Sequence, residues 1–291
     1  MVVDIINFYF IGFKCYTRNM SRFVYNIDDT AQRNQSLLCV GIDPWRSSLP
    51  IQDLSAFVVS IVEATSDLVC AFKPNIAFFE AEGAIGLQAL KDVISAAKGF
   101  NIPVILDAKR ADIGSSSTAY AKAIFEYWEA DATTVSPYQG SDSIEPFLNY
   151  SEKGVFVLCK TSNPGSNDFQ SLITSNGMAV YEHVAYKSKE WNAQGNVGLV
   201  VGATYPDEIV RIRSICPEMP LLIPGLGTQG GELKSTVEAS LNPEGFGSIF
   251  NVSRSIIYAG KGTDYIAQIR HSALSMKTLI NDVRTSMGHK W

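Results

Sequence analysis

The chain has 291 residues, of which 46% are hydrophobic and 18% charged, with a net charge of -5. That apolar content is enough for a sizeable core and excludes a disordered or fibrous chain. With 29 acidic against 24 basic residues and no basic run, the sequence lacks the electrostatic footprint of a nucleic-acid binder, so an anionic ligand must be held by a few local cations.

In chain order, the first twenty residues, MVVDIINFYFIGFKCYTRNM, form an apolar stretch broken by Asp4, Asn7 and Lys14. It is too short to span a bilayer. The basic start and small-residue cleavage site of a signal peptide are both missing. We read residues 1–19 as a dispensable extension, with a membrane-surface anchor as the alternative, and expect the polar stretch from Met20 to lead straight into the first strand.

Eight short apolar runs follow: SLLCVGID, DLVCAFK, IPVILDAK, DATTVSP, GVFVLCK, NVGLVVG, MPLLIPG and GSIFNVS. Each precedes a stretch with helical spacing. After the first run, Leu54, Phe57, Val58, Ile61 and Val62 form one apolar helical face. Continuous apolar strands separated by helices predict a parallel sheet buried on both faces, and eight such units predict a (β/α)8 barrel. A doubly wound open sheet is the runner-up. Residues 20–291 read as a single domain, because no linker or low-complexity tract divides them. The interval from Lys160 to Asn196 has room for an irregular loop, TSNPGSNDF, before a helix around Tyr181 to Lys189. Five cysteines without a C-x-x-C pair cannot close a disulfide framework. Cys39, Cys70 and Cys159 lie inside the apolar runs and read as reduced core thiols of a cytoplasmic protein.

The strand C-termini carry the polar residues: Asp43, Lys73, Asp107 with Lys109, Ser162 and Arg254. In a barrel this is the end where chemistry sits. A lone strand-end aspartate is usually a helix cap or turn former, so Asp43 alone carries little weight. The run Asp107-Ala-Lys109-Arg110-Ala-Asp112 carries more. Residues i and i+2 of a strand share a face, so Asp107 and Lys109 should project together into the barrel mouth, and Asp112 opens the next helix. The plain alternative makes Asp112 a cap and Asp107 to Lys109 a structural ion pair. Lys73, ending the preceding strand, would complete an alternating Lys, Asp, Lys, Asp array. Flanking carboxylates keep a lysine protonated, which suits a proton donor and not a Schiff-base nucleophile.

Late in the chain, Gly225, Gly227 and Gly230 form G-x-G-x-x-G. Without an acidic residue after the next strand this is weak evidence for a dinucleotide fold. Followed by Arg254 it fits the barrel phosphate site, and a monophosphate is the ligand expected. His183, His271 and His289 lie on predicted helices or near the C-terminus, and neither H-E-x-x-H nor G-x-S-x-G occurs, so neither a histidine triad nor a histidine metal site is expected. Phe78, Phe79, Tyr120, Phe125, Tyr127 and Trp128 fall in predicted helices and read as core or subunit-interface packing.

The runs VILDAKRADIGSSSTAYA, CVGIDP, FKPNIAFFE, KTSNPGSNDFQ, VVGAT, IPGLGTQGG and NVSRSI together closely resemble the orotidine 5'-phosphate decarboxylases of the longer bacterial type. The resemblance implies decarboxylation of orotidine 5'-monophosphate to UMP without a metal or organic cofactor, in a homodimer. Carried onto this chain, it makes Lys73, Asp107, Lys109 and Asp112 the charged array. Asp112 is then supplied to the neighbouring subunit's site, and Lys109 is the proton donor to C6 of the pyrimidine. It also assigns Asp43 and Lys73 to the ribose hydroxyls and Ser162 to the pyrimidine amide. Gln229 and Arg254, with backbone N–H groups around Gly225, take the phosphate. Ser116 stands where the family usually has threonine and keeps the hydroxyl of that ribose contact. Two rivals stay open: a magnesium-dependent sugar-phosphate decarboxylase or aldolase of the same barrel type, which EDTA would inhibit, and a catalytically silent nucleotide-binding protein, which should have lost part of the array.

Overall fold

The structure is a computed structural model that describes residues 21–226 and 230–291. The eight apolar runs form eight parallel strands: β1 (Leu38–Ile42), β2 (Ala71–Pro74), β3 (Ile105–Arg110), β4 (Ala132–Val135), β5 (Gly154–Lys160), β6 (Val197–Val201), β7 (Leu221–Pro224) and β8 (Ser248–Val252). Their order is β2-β1-β8-β7-β6-β5-β4-β3. The ring closes where β2 meets β3 through the parallel bridges Phe72 to Val104 and Asn75 to Asp107. An open doubly wound sheet is therefore set aside. Every residue of β1, β4, β6 and β8 is buried, as expected for strands covered by helices outside and by packed side chains within.

The longer helices that follow the strands are α2 (Leu54–Thr65), α3 (Gly83–Gly99), α4 (Gly114–Lys122), α5 (Ser141–Leu148), α6 (Val180–Trp191), α7 (Pro206–Ile215), α8 (Gly230–Ser240) and α9 (Tyr265–Ser286). Asp53 starts α2 by accepting a hydrogen bond from the Ala56 N–H at 3.0 Å. All five residues of the expected apolar face of α2 are buried, each worth about 1.5–3 kcal/mol. Cys39, Cys70 and Cys159 are buried as expected, and so is Cys216. The TSNPGSNDF loop contains a short 3-10 turn, Pro164–Asp168. Phe79 and Phe125 join the core, whereas Tyr120 and Tyr127 stand exposed on the surface.

One expectation fails. The chain before β1 is not a plain polar lead but a helix, α1 (Arg22–Asn34), capped by the Ser21 side chain. Phe23, Ile27 and Ala31 recur every four residues and are buried against the N-terminal end of the barrel. The Phe23 ring meets Phe156 edge-on with centroids 5.8 Å apart. A Cβ on Gly154 would lie only 2.3 Å from the same ring, so β5 must begin with glycine for α1 to sit this close. Residues 1–19, the expected extension, lie outside the described residues. Among the described residues no helix is long and apolar enough to cross a membrane.

A cavity of about 250 Å3 opens at this N-terminal end, lined by Phe23, Ile27, Asp28 and Glu218 among others. Asp28 has no hydrogen-bond partner among the described residues, and burial alone pushes its carboxyl up to about 7. Raised in the folded state, the carboxyl holds its proton where the unfolded chain has lost it, so stability falls as pH rises from about 4 to 7. A displacement of that size corresponds to about 4 kcal/mol at most, and the partial solvent exposure of the residue brings it to about 1–2 kcal/mol. Asp28→Asn is expected to be more stable than the parent by that amount at pH 8 and equally stable near pH 3.5. Urea unfolding at the two pH values checks both halves.

Candidate active site

At the opposite end, where the strands finish, a cavity of about 680 Å3 is lined by residues that include Asp43, Lys73, Asp107, Gly225, Ser253 and Arg254. A contiguous space of about 630 Å3 continues past Trp45, Phe78 and Tyr258. The strands deliver these residues by position: Lys73 lies at the end of β2, Asp107 in β3, Gly225 directly after β7 and Arg254 two residues after β8.

The floor of the cavity is charged and almost fully buried. The Lys73 ammonium donates to Asp107 Oδ2 at 2.9 Å, and the Lys109 ammonium donates to Asp107 Oδ1 at 2.6 Å. Asp107 and Lys73 are 7% and 4% exposed, whereas the Lys109 side chain reaches toward solvent. Burial works to raise the Asp107 pKa, but the two ammonium groups outweigh it and hold the carboxyl well below the usual carboxylate range. For Lys73 burial works downward, and attraction by Asp107 and Asp43 leaves the net shift upward. Two cations therefore share one permanent anion, and removing that anion would leave a buried, uncompensated charge.

Asp107 and Lys109 do meet on one side of β3, but not through the regular pleat. Leu106 pairs with Thr133 and Arg110 with Val135, so β3 bulges between them. Lys109 adopts a left-handed φ of 44°.

Asp112 does not join the array within its own chain. Its Oδ1 accepts from the adjacent Ile113 N–H at 2.8 Å, and neither lysine of the array is paired with it among the described residues. Nor does it cap α4, whose N-cap residue is Ile113 without a side-chain bond. Of the plain alternative read from the sequence, the cap gives way, whereas the Asp107–Lys109 ion pair is present and extends to Lys73.

Among the described residues Asp43 Oδ1 and Ser253 Oγ are buried without a partner, and both residues line the cavity, so both offer hydrogen-bonding capacity there. Tyr258 steadies the Asp43 loop. Its hydroxyl donates to the Asp43 carbonyl at 2.9 Å and accepts from the Trp45 N–H. Gly225 has φ 87°, and a Cβ there would lie 3.5 Å from Ser162 Oγ. The exposed Ser162 and the first residue of the glycine-rich loop are thus neighbours across β5 and β7. Gly230 begins α8, while Gly227 and Gln229 lie outside the described residues. Arg254 is exposed at the rim, and Ser116 lies exposed on α4.

Three contributors escape sequence reading. Asn75 lines the cavity and closes the barrel against Asp107. Lys160 is buried at the end of β5, donating to Ser166, Asn167 and Ser171 of the following loop at 3.3, 3.2 and 2.8 Å. Thr134 touches both Asp107 and Lys109. Asn75 and Lys160 are polar strand-end residues and could have been flagged by the rule that found Lys73, whereas a threonine inside a strand carries no such signal.

The arrangement defines a class: a (β/α)8 barrel whose mouth can bind an anionic ligand and present a lysine proton beside a buried carboxylate. The family model described as Orotidine 5'-phosphate decarboxylase / HUMPS family matches residues 36–269. Relatives named orotidine 5'-phosphate decarboxylase include that of Roseiflexus sp. (strain RS-1), 50% identical over 87% of this chain and 94% of that protein. Another is that of Azoarcus sp. (strain BH72), 50% identical over 87% of this chain and 96% of that protein. The solved structure of Leishmania donovani OMP decarboxylase superposes with a TM-score of 0.80 at 42% identity, covering 91% of this chain and 99% of that one. The chain belongs to the orotidine 5'-phosphate decarboxylase / HUMPS family.

Proposed function

We propose that the chain is a carboxy-lyase converting orotidine 5'-monophosphate to UMP and CO2, a step of pyrimidine biosynthesis. The observation that carries the reading is the buried Asp107 carboxylate gripped by Lys73 and Lys109 on the floor of a cavity with Arg254 at its rim. The bond from C6 to the carboxylate breaks, CO2 leaves, and the electron pair stays on C6. A Lys109 N–H proton then transfers to C6, leaving a neutral amine that solvent reprotonates. The two ammonium groups favour negative charge at C6 before the proton moves. Asp107 also repels the substrate carboxylate, at about 4 Å and an effective dielectric of 20 by roughly 4 kcal/mol. That is about three decades of rate, so remote contacts must contribute the rest.

In this reading Asp43 and Lys73 hold the ribose hydroxyls, with Ser116 as a further ribose contact, and Ser162 takes the pyrimidine amide. Arg254, Gln229 and backbone N–H groups near Gly225 take the phosphate. The working form is a cytoplasmic homodimer in which Asp112 serves the partner subunit's site. Residues 20–291 are the catalytic unit.

The test is the loss of absorbance on adding orotidine 5'-monophosphate, with and without EDTA. Turnover that EDTA leaves intact supports the reading. No turnover refutes it, and inhibition by EDTA would favour a magnesium-dependent sugar-phosphate enzyme. Arg254→Ala is expected to lower kcat/KM by about 10–150-fold, the worth of a charge-assisted hydrogen bond of about 1.5–3 kcal/mol. In the parent, added phosphite dianion should activate a substrate that lacks its phosphate, and Arg254→Ala should weaken that activation. An Arg254→Ala variant that binds UMP as tightly as the parent would refute the phosphate assignment.

A further inference from the structure

The bulge in β3 sets Asp107, Ala108 and Lys109 opposite the single residue Thr134 of β4, because Leu106 pairs with Thr133 and Arg110 with Val135. A left-handed φ is unfavourable for an L-residue, so the 44° at Lys109 persists only if its surroundings enforce it. The bulge also takes the Lys109 N–H away from a regular strand partner. That N–H donates to Thr134 Oγ1 at 2.9 Å. The same hydroxyl donates to Asp107 Oδ1 at 2.8 Å, the oxygen that also receives the Lys109 ammonium at 2.6 Å. Thr134 is 1% exposed, so water does not compete for either bond. A hydroxyl has one proton to give. Accepting from the Lys109 backbone therefore directs its proton at the Asp107 carboxylate, and one buried oxygen fixes the backbone of the lysine and the rotation of the aspartate together.

We propose that Thr134 is a positioning residue for decarboxylation, locking the Lys109 ammonium and the Asp107 carboxylate into one geometry from β4. The inference rests on the activity proposed above. Without the hydroxyl, the Lys109 peptide loses the acceptor that enforces the bulge, and the carboxylate keeps its lysines but loses the bond that sets its rotation. The ammonium then samples positions away from the line to C6, and a displacement of about 1 Å costs on the order of 100-fold in rate. Lys73 keeps its bond to Asp107, and apart from Ser116 the other ribose and phosphate contacts lie away from β3 and β4, so UMP binding should change little. The competing explanation, a threonine that merely fills the strand, predicts altered stability with unchanged turnover.

Thr134→Val removes the hydroxyl at nearly constant volume, and Thr134→Ser keeps it. For Thr134→Val we expect kcat to fall by about 10–100-fold with UMP affinity within about threefold. Amide exchange at Lys109 should quicken, and Thr134→Ser should recover most of kcat. Should the valine variant fail to fold, Thr134→Ala carries the same comparison. Wild-type kcat in a folded variant lacking the hydroxyl, or a serine variant as slow as valine, would overturn the inference alone. A parent enzyme without decarboxylase activity would overturn the activity reading and this inference with it.

Discussion

Lys109→Ala is expected to reduce turnover of orotidine 5'-monophosphate by at least about three decades, within the range of a lost general acid, while UMP still binds within a few-fold. The structure makes this a clean substitution. Alanine carries a Cβ just as lysine does, so the left-handed backbone at position 109 is no more strained than before. Asp107 keeps its bonds to Lys73 and Thr134, so the buried anion stays compensated. Single-turnover kinetics and calorimetric UMP titration separate the two effects. Turnover at the parent rate would remove Lys109 from the mechanism, and loss of UMP binding would make it a binding residue instead.

Activity regained from two inactive proteins is the second large effect expected. Asp112 lies a few residues beyond Lys109, yet among the described residues it pairs with neither Lys73 nor Lys109 of its own chain. If it serves the neighbouring subunit, Asp107→Asn and Asp112→Ala homodimers are each nearly inactive. A heterodimer of the two then gathers both defects in one site and leaves the other intact. Random mixing restores up to about a quarter of parental activity if sites act independently. Asparagine is preferred to alanine at 107 because its amide oxygen can still accept from the buried Lys73 ammonium, whereas alanine leaves no acceptor there. After co-refolding, with heterodimers verified by mass, recovery supports the shared site. If no activity returns, Asp112 acts within its own chain or outside the chemistry.

The eight strands were legible because each is a continuous apolar run, and a strand covered on both faces has no alternation to obscure it. The same logic made strand-end charges visible: Lys73 and Asp107 stand out because apolar runs end on them. α1 was missed because Arg22, Asn26, Asp28, Asp29, Gln32 and Arg33 outnumber its apolar residues, and only the four-residue spacing of Phe23, Ile27 and Ala31 betrays the buried face. The position of Asp112 between β3 and the next helix was legible, but whether it caps that helix was not, since capping depends on side-chain rotation that neighbouring backbone decides.

What the sequence determined by itself is the order of strands, the chemical types at their ends and the presence of a Lys, Asp, Lys, Asp set. All of these follow from local hydrophobicity and spacing. Which members of that set meet was decided only by tertiary structure. Lys73 and Asp107, 34 positions apart, touch at 2.9 Å because barrel closure brings β2 beside β3. Asp112, much closer along the chain, stays apart. The bulge that turns Lys109 and leaves Thr134 to hold it exists only in the pairing of β3 with β4. A local pattern specifies which face a side chain occupies, but the register between strands specifies what it meets there.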